Sequence, residues 1–220
     1  MRKSSEEIKK EIVDQLYWDN RVDASEITVD VHDSVVTLGG KVPTYSARTA
    51  AANDARSISG VVTVNNNIRV EYPAAVTTPT DPEIQSNIES VLRWNSDIDS
   101  SDIIISVDNG WVTLEGSVEA FWKKMRTEEM ASNVTGVLGV TNKLSVVPTK
   151  DIIDEAIADD IVDALDRNTD INIEEVDVQV ENGTVTLSGI VPSWTERLKA
   201  YEAALYTDGV LNIHDELRVG

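Results

Sequence analysis

A seven-residue string that occurs three times constrains the fold of this chain more than any other feature. Val-Thr-Leu-Gly-Gly-Lys-Val at residues 36–42 returns as Val-Thr-Leu-Glu-Gly-Ser-Val at 112–118 and as Val-Thr-Leu-Ser-Gly-Ile-Val at 185–191. The offsets between the strings, 76 and then 73 residues, also align apolar residues before each string and a Gly-Val pair after it. Self-similarity over so many positions predicts three tandem copies of one small domain, which we call repeats 1, 2 and 3.

Each repeat shows the same succession of helix and strand signals. Apolar residues spaced four apart predict an amphipathic first helix. They are Ile8, Ile12 and Leu16, then Ile84, Ile88 and Leu92, then Ile157, Ile161 and Leu165. Strict alternation follows, for example at Ile103, Ile105 and Val107, and it predicts a strand with one buried face. The repeated string is the second strand, and a second helix and a last strand complete each repeat.

Turn residues and glycines mark the ends of the predicted elements. Asn-Gly at residues 109–110 and 182–183 is typical of a hairpin turn because both residues tolerate positive φ, whereas Asp-Ser at 33–34 is a weaker signal. The glycine of the repeated string is predicted to end the second strand, and a later glycine to follow the second helix in left-handed conformation. These structural glycines are Gly40, Gly116 and Gly189, followed by Gly60, Gly136 and Gly209.

The element order predicts an α+β chain of three tandem αββαβ domains. Each is a three-stranded mixed sheet covered on one face by two helices. We place the domains at residues 1–70, 83–146 and 152–220. Residues 71–82 contain three prolines and should form a stiff, extended linker, while residues 147–151 form a short one.

The strings and turns together resemble the pattern of the BON domain family, named for bacterial osmotically induced and nodulation-associated proteins. Repeat 2 matches it almost throughout, with Asn-Gly at 109–110, the string at 112–118 and Gly-Val-x-x-Val-x-Asn-x-Leu-x-Val at 136–146. The resemblance implies binding of phospholipid membranes or envelope components and a link to osmotic stress. It provides no catalytic residues to carry over.

Charge and composition exclude several kinds of function. A net charge of −20 repels phosphate backbones, so we expect no nucleic-acid partner, and it also disfavours anionic lipid headgroups. The charge is −1 over residues 1–70, −7 over 71–146 and −12 over 147–220. Cysteine is absent, which excludes disulfides and thiolate catalysis. No apolar run suits an export signal or a transmembrane segment, so we expect a cytoplasmic protein, or a periplasmic or envelope protein if the precursor is longer.

Catalytic and metal sites have little support in the sequence. His32 and His214 occupy unrelated repeat positions, and no catalytic triad, phosphate loop or dinucleotide fingerprint is present. The oxygen-bearing side chains of residues 166–177 are spaced like those of a calcium loop, but Ile171 stands where that loop needs glycine. We therefore predict a protein that is not an enzyme and has no cofactor and no metal site. Small-cation binding in the cytoplasm under osmotic stress is the weaker alternative.

Aromatic and basic residues of repeat 2 form the candidate docking surface. Tyr45, Phe121 and Trp194 share one repeat position at the start of the second helix, which indicates core packing. Trp122 has no aromatic equivalent, and a dense basic cluster follows it. The predicted membrane- or partner-binding residues are Trp111, Trp122, Lys123, Lys124 and Arg126. The alternative is that Trp122 packs against a neighbouring repeat.

Two functional hypotheses follow from these observations. The first is a non-enzymatic, stress-related protein that binds phospholipid membranes or envelope components. The second is a structural protein that self-associates into homo-oligomers or filaments. Tandem copies, the uneven charge and the open edges of small sheets motivate the second hypothesis.

Overall fold

The computed structural model describes residues 3–72, 77–150, 152–167 and 176–219, and these residues contain six α-helices, a short 3₁₀ helix at Ala24–Glu26 and three sheets. The helices are α1 (Ser5–Trp18), α2 (Tyr45–Ser57), α3 (Asp81–Arg93), α4 (Phe121–Ser132), α5 (Asp154–Asp166) and α6 (Trp194–Leu205). The strands are β1 (Ile27–His32), β2 (Val35–Val42), β3 (Thr63–Asn66), β4 (Arg69–Val70), β5 (Ile103–Asp108), β6 (Trp111–Val118), β7 (Gly139–Asn142), β8 (Ser145–Val146), β9 (Val176–Glu181), β10 (Thr184–Val191) and β11 (Asn212–Val219). This order confirms the α+β fold of three tandem αββαβ repeats.

Each sheet is mixed because its middle strand has both antiparallel and parallel neighbours. In repeat 1, β2 pairs antiparallel with β1 and parallel with β3 and β4. In repeat 3, β10 pairs antiparallel with β9 and parallel with β11. The sheet of repeat 2 has the order β5-β6-β7, with β8 also on β6. The last strand of repeats 1 and 2 is interrupted for two residues, whereas β11 is continuous over eight.

The buried faces of helices and strands follow the predicted periodicities. In β1, Val29 and Val31 are buried, and the alternating residues Asp30 and His32 are exposed. The apolar residues spaced four apart in α1, α3 and α5 are all buried, which confirms the amphipathic first helix. Burying each such side chain stabilises the fold by about 2 kcal/mol, so this stripe holds the first helix to its sheet.

The chain divides into two compact units, and repeat 2 contributes residues to both. The first unit comprises Met1–Ser100, Ile104–Glu115 and Thr127–Lys143, and the second comprises Ser101–Ile103, Gly116–Arg126 and Leu144–Gly220. In the second unit, Phe121 of α4 is buried in the hydrophobic core of repeat 3, and Met125 and Val146 pack against that core. Tyr45 and Trp194, at the repeat position of Phe121, are only half-buried. Of these three residues, only Phe121 is buried in a hydrophobic core, so the predicted core packing is confirmed for Phe121 and wrong for Tyr45 and Trp194.

The glycine of the repeated string does not end the second strand, and this prediction was wrong. Each of β2, β6 and β10 continues for two residues beyond it. At Gly40 the φ angle is +97°, and a Cβ placed there would lie 1.9 Å from the carbonyl oxygen of Glu26. Glycine is required here because the chain entering β1 passes at backbone contact distance. The later glycines, Gly60, Gly136 and Gly209, have φ angles of +97°, +101° and +87°.

Candidate functional site

Two tryptophans at the ends of first helices are among the most exposed apolar side chains of the described residues. Trp18 ends α1, and Trp94 caps the C-terminus of α3; their side chains are 77% and 88% exposed. The two positions are 76 residues apart and therefore equivalent in the repeat. Each follows the last buried leucine of its helix, Leu16 or Leu92, by two residues, or about 200° around the helix. This rotation turns the tryptophan away from the core.

A second aromatic side chain lies beside the first of these tryptophans. The rings of Tyr17 and Trp18 meet edge to face, with centroids 5.7 Å apart and planes at 84°. We call Tyr17 and Trp18 tip 1, and Trp94 tip 2. Repeat 3 has Arg167 at the equivalent position, so it presents no tryptophan there. Rings with an apolar body and a polar edge suit a boundary between water and an apolar phase.

A pair of carboxyl groups lies at the end of α1, next to tip 1. Arg21 donates to Asp19, with 2.6 Å between Nη2 and Oδ2, and this hydrogen bonding lowers the pKa of Asp19 to about 2. Asp54 of α2 is only 6% exposed; burial first, and then the charge of Asp19, raise its pKa to about 6. Gln15 donates to Oδ1 of Asp54 at 3.4 Å, whereas Oδ2 accepts no hydrogen bond from the described residues. When Asp54 is protonated, its carboxyl group donates a hydrogen bond to Asp19. Repeat 1 thus holds a buried, weakly satisfied acid.

The residues predicted to form a docking surface have mixed environments. Trp111 of β6 is 56% exposed, and its ring lies against Gly139 of β7, where a Cβ would come within 2.3 Å of it. Trp122 is half-buried, and the ammonium group of Lys123 lies 5.7 Å from its ring centroid. Lys123 also forms an ion pair with Glu119, which compensates its charge.

Two further members of that predicted surface lie on α4. Lys124 is half-buried, and Arg126 is exposed. Lys124 aligns with Arg48 and Arg197, which lie over the rings of Tyr45 and Trp194 at 5.8 and 4.5 Å. The repeat position of Lys124 therefore favours a structural role for its side chain, and Arg126 is the more accessible charge.

Candidate metal ligands are dispersed. Among the described residues, no group of three or more histidine, aspartate or glutamate side chains could hold a metal ion. The segment that resembles a calcium loop falls largely on residues 168–175, which lie outside the described residues. His32 and His214 are both exposed, and the Nε2 atom of His32 lies 3.2 Å from a carboxylate oxygen of Asp30.

Comparison with known proteins identifies the domain type. The BON domain family matches this chain three times, at residues 4–72, 80–148 and 153–220. The chain belongs to the BON domain family. Repeats 1, 2 and 3 are therefore BON domains 1, 2 and 3.

Curated relatives share parts of this arrangement. The chain is 29% identical over 153 residues to osmotically-inducible protein Y of Escherichia coli, covering 63% of this chain and 72% of that protein. It is 31% identical over 124 residues to the 21 kDa hemolysin of Actinobacillus pleuropneumoniae, covering 56% of this chain and 63% of that protein, which is less than two thirds of its length.

A solved structure is similar at a much lower level. CdsD, a structural protein of the type III secretion system of Chlamydia trachomatis, aligns over 97% of this chain and 92% of its own with 12% identity and a TM-score of 0.28. A likeness this weak carries no argument about function. Separately, none of the helices among the described residues is long and apolar enough to cross a membrane.

The exposed tips of BON domains 1 and 2 were missed by sequence reasoning that looked for basic residues near aromatic ones. A signal was available, because Trp18 and Trp94 stand at the same repeat position. Each also lies off the apolar stripe that marks the buried face of its helix. The repeat alignment together with the helical periodicity would therefore have singled out these two exposed tryptophans.

Proposed function

We propose that this BON-domain protein binds phospholipid surfaces without catalysing a reaction, and that tip 1 and tip 2 are its anchors. The observation that carries the proposal is the high exposure of Trp18 and Trp94 at equivalent positions of two domains. Leaving a tryptophan ring in water forgoes the burial free energy of a large apolar surface. Two such rings on one chain also add avidity when both reach the same surface.

Charge supports a preference among lipids. The chain has a net charge of −20, and anionic headgroups repel a protein of that charge. Arg21, three residues after Trp18 in the sequence, is already paired with Asp19. We therefore propose that apolar insertion at a zwitterionic surface dominates, and that added salt strengthens binding to anionic vesicles by screening repulsion. The relationship to an osmotically-inducible protein supports a role during osmotic stress.

Vesicle co-sedimentation and tryptophan fluorescence test this function. The unaltered chain should pellet with phosphatidylcholine vesicles, with a blue shift of its tryptophan emission. We expect each of Trp18→Ala and Trp94→Ala to weaken partitioning about 10-fold, which corresponds to about 1.4 kcal/mol. A chain that pellets with neither zwitterionic nor anionic vesicles would show the function to be wrong.

The matched control is Trp111→Ala, which also removes a half-exposed tryptophan from BON domain 2. It should leave partitioning within about 2-fold of the unaltered chain, since its ring already covers Gly139. If Trp111→Ala weakens binding as much as Trp94→Ala, the predicted docking residue Trp111 is an anchor, and the proposal that the tips alone are the anchors is wrong.

Self-association is a second candidate function, and the edge of β11 is the observation that favours it. This strand pairs with β10 over eight residues, so its outer edge is longer than that of β3 or β7. However, His214, Asp215, Glu216 and Arg218 place polar or charged groups along it, and such residues oppose edge-to-edge pairing. Sedimentation velocity over a range of protein concentrations tests this role, since an unchanging monomer would contradict it.

A further inference from the structure

A tyrosine at the end of BON domain 1 occupies a groove of BON domain 2. Tyr72 lies two residues beyond β4, and its hydroxyl accepts from the amide of Gly136 at 2.7 Å and donates to the carbonyl oxygen of Val137 at 3.3 Å. Burial raises the pKa of Tyr72, so its hydroxyl remains a donor at neutral pH. The groove thus recognises a tyrosine through one backbone amide and one backbone carbonyl.

The groove lies where the glycine loop meets the first helix and the hairpin turn. A Cβ placed on Gly136 would meet Ile84 of α3 at 2.6 Å and Pro79 at 3.4 Å. On the other side, Gly110 of the hairpin turn lies close to the carbonyl oxygen of Gly136. These neighbours give the groove an apolar wall and a backbone floor, which suits an aromatic ring with a hydroxyl at its end.

BON domain 3 has similar surroundings, with Pro148 at the repeat position of Tyr72; a proline has no hydroxyl that could bond to the glycine loop. Gly209 aligns with Gly136, and a Cβ placed on it would meet Ile157 at 2.9 Å and Ile152 at 3.1 Å, the residues that align with Ile84 and Pro79. A cleft of about 630 Å³ opens here. Its lining includes Pro148, Ile152, Ile153, Gly183, Gly209 and Leu211.

The backbone of Gly209 lacks the contact that Tyr72 gives to Gly136. Gly136 is buried, whereas Gly209 is half-exposed. Within the described part of the chain, the amide of Gly209 has no hydrogen-bond acceptor. A tyrosine hydroxyl placed as in BON domain 2 would supply one.

An apolar residue at the rim of this cleft stands where a helix cap is expected. The N-caps of α1 and α3 are Ser4 and Thr80, each in a capping box. The N-cap of α5 is Ile153, which makes no side-chain capping bond and is 69% exposed. Loss of a hydroxyl cap destabilises the start of a helix, and departures from local rules of this kind concentrate at functional positions. An exposed isoleucine there extends the apolar wall of the cleft.

We propose that the cleft of BON domain 3 binds an extended segment of a partner protein through a tyrosine side chain. The hydroxyl of that tyrosine bonds to the amide of Gly209, and its ring packs on Ile152 and Ile153. The occupant is a protein segment because the equivalent groove holds Tyr72, a residue of a polypeptide chain, through its side-chain hydroxyl. Residues 147–220 carry a charge of −12, which favours a segment with neutral or basic flanks.

A synthetic peptide of this chain's residues 66–80 is the probe, because it carries Tyr72 and its side-chain charges sum to zero. Titration into the ¹⁵N-labelled full chain should shift the amide resonances of Gly183, Gly209 and Leu211 in a saturable way. The same peptide with Tyr72→Phe should bind at least about 5-fold more weakly, the effect of losing one hydrogen bond to a backbone amide. Equal binding of the two peptides, or no shift at millimolar peptide, would overturn the proposal.

Variants of the full chain locate the site. Ile153→Thr restores a capping hydroxyl and should weaken peptide binding about 3-fold or more, while Val162→Thr, an exposed position elsewhere on α5, should not change it. Tyr72→Ala vacates the groove of BON domain 2, so the peptide should then shift Gly136 as well as Gly209. Shifts at Gly136 alone would show that only BON domain 2 recognises tyrosine, and the proposal would be wrong.

Discussion

The hairpin turns of BON domains 1 and 2 have the same backbone path but different support. In BON domain 2, Asn109 and Gly110 have φ angles of 49° and 76°; in BON domain 1, Asp33 and Ser34 have 47° and 68°. Glycine adopts such angles freely, whereas a serine with a Cβ is strained there. The carbonyl of the second turn residue accepts an amide hydrogen bond from the chain that leads to the last strand in both domains, at 2.9 Å.

In BON domain 2 a carboxylate accepts hydrogen bonds from the amides of the hairpin turn, and BON domain 1 has no carboxylate at the equivalent position. Asp81, the first residue of α3, accepts from the amides of Asn109 and Gly110 at 2.8 and 2.9 Å. Asp154 does the same for the turn of BON domain 3, at 2.7 and 2.8 Å. The equivalent residue of BON domain 1 is Ser5. The turns have similar φ angles in all three domains despite their different residues. We therefore expect the turn residues and the carboxylate to affect the stability of the turn more than its shape.

The largest effect should come from removing the carboxylate. Asp81→Ala leaves two turn amides without their charged acceptor, and we expect a loss of about 3 kcal/mol from BON domain 2, since hydrogen bonds to charged groups contribute about 1.5–3 kcal/mol each. Hydrogen exchange of the β5 and β6 amides measures this domain separately. The control Ser5→Ala should change the exchange of β1 and β2 by less than about 0.5 kcal/mol. Equal losses for both variants would show that the carboxylate adds nothing to the turn.

A second difference between these domains is the buried acid of BON domain 1. Asp54 aligns with Met130 and Ala203, so only BON domain 1 has a carboxyl at this position. Its pKa in the folded chain is about 6, above the ordinary value of 3.8. Between these values the folded chain keeps a proton that the unfolded chain has released, so the contribution of Asp54 to stability falls as pH rises from about 4 to about 6. The pKa of Asp19 is lowered in the folded chain, so its effect on stability has the opposite pH dependence. The contribution of Asp19 to the free energy of unfolding is lost as pH falls from about 4 to about 2.

Asp54→Asn should remove the first of these two effects. At pH 7 the variant should be more stable than the unaltered chain by about 2 kcal/mol. The upper limit is about 2.8 kcal/mol, because the pKa of Asp54 is raised by about two units and each unit corresponds to about 1.4 kcal/mol. At pH 4.5, where Asp54 is protonated in the folded chain, the two should differ by less than about 0.5 kcal/mol. Thermal unfolding and hydrogen exchange of α2 across this pH range provide the measurement. A stability difference that does not change with pH would contradict the raised pKa.

Features that depend on local spacing could be read from the sequence. The positions spaced four apart in α1, α3 and α5 are buried, and the Asn-Gly turns form as expected, because periodicity and turn chemistry act within a few residues. The reason why residue 40 must be glycine could not be predicted from local sequence. Its need for glycine comes from the carbonyl of Glu26, a residue distant in sequence that crosses it in space.

In the candidate sites, too, features that depend on long-range packing could not be predicted from the sequence. Asp54 lies in an alanine-rich helix and would be expected to face solvent; its burial depends on how α2 packs beside Gln15 of α1. Phe121 shares a repeat position with Tyr45, yet it is buried in the core of BON domain 3. Repetition predicts what equivalent residues do inside one domain. It does not predict contacts that only one domain makes.

The smallest effect tests the turn itself. Ser34→Gly should stabilise BON domain 1 by about 1 kcal/mol, because glycine relieves the left-handed strain at φ 68° and loses only part of that gain to chain entropy. The reverse change, Gly110→Ser, should cost BON domain 2 more than this, since a Cβ there would lie 2.8 Å from the carbonyl oxygen of Gly136. Chemical denaturation followed by hydrogen exchange compares the two. If Ser34→Gly gives no gain, the turn of BON domain 1 is unstrained, and the missing carboxylate alone distinguishes it from the other two domains.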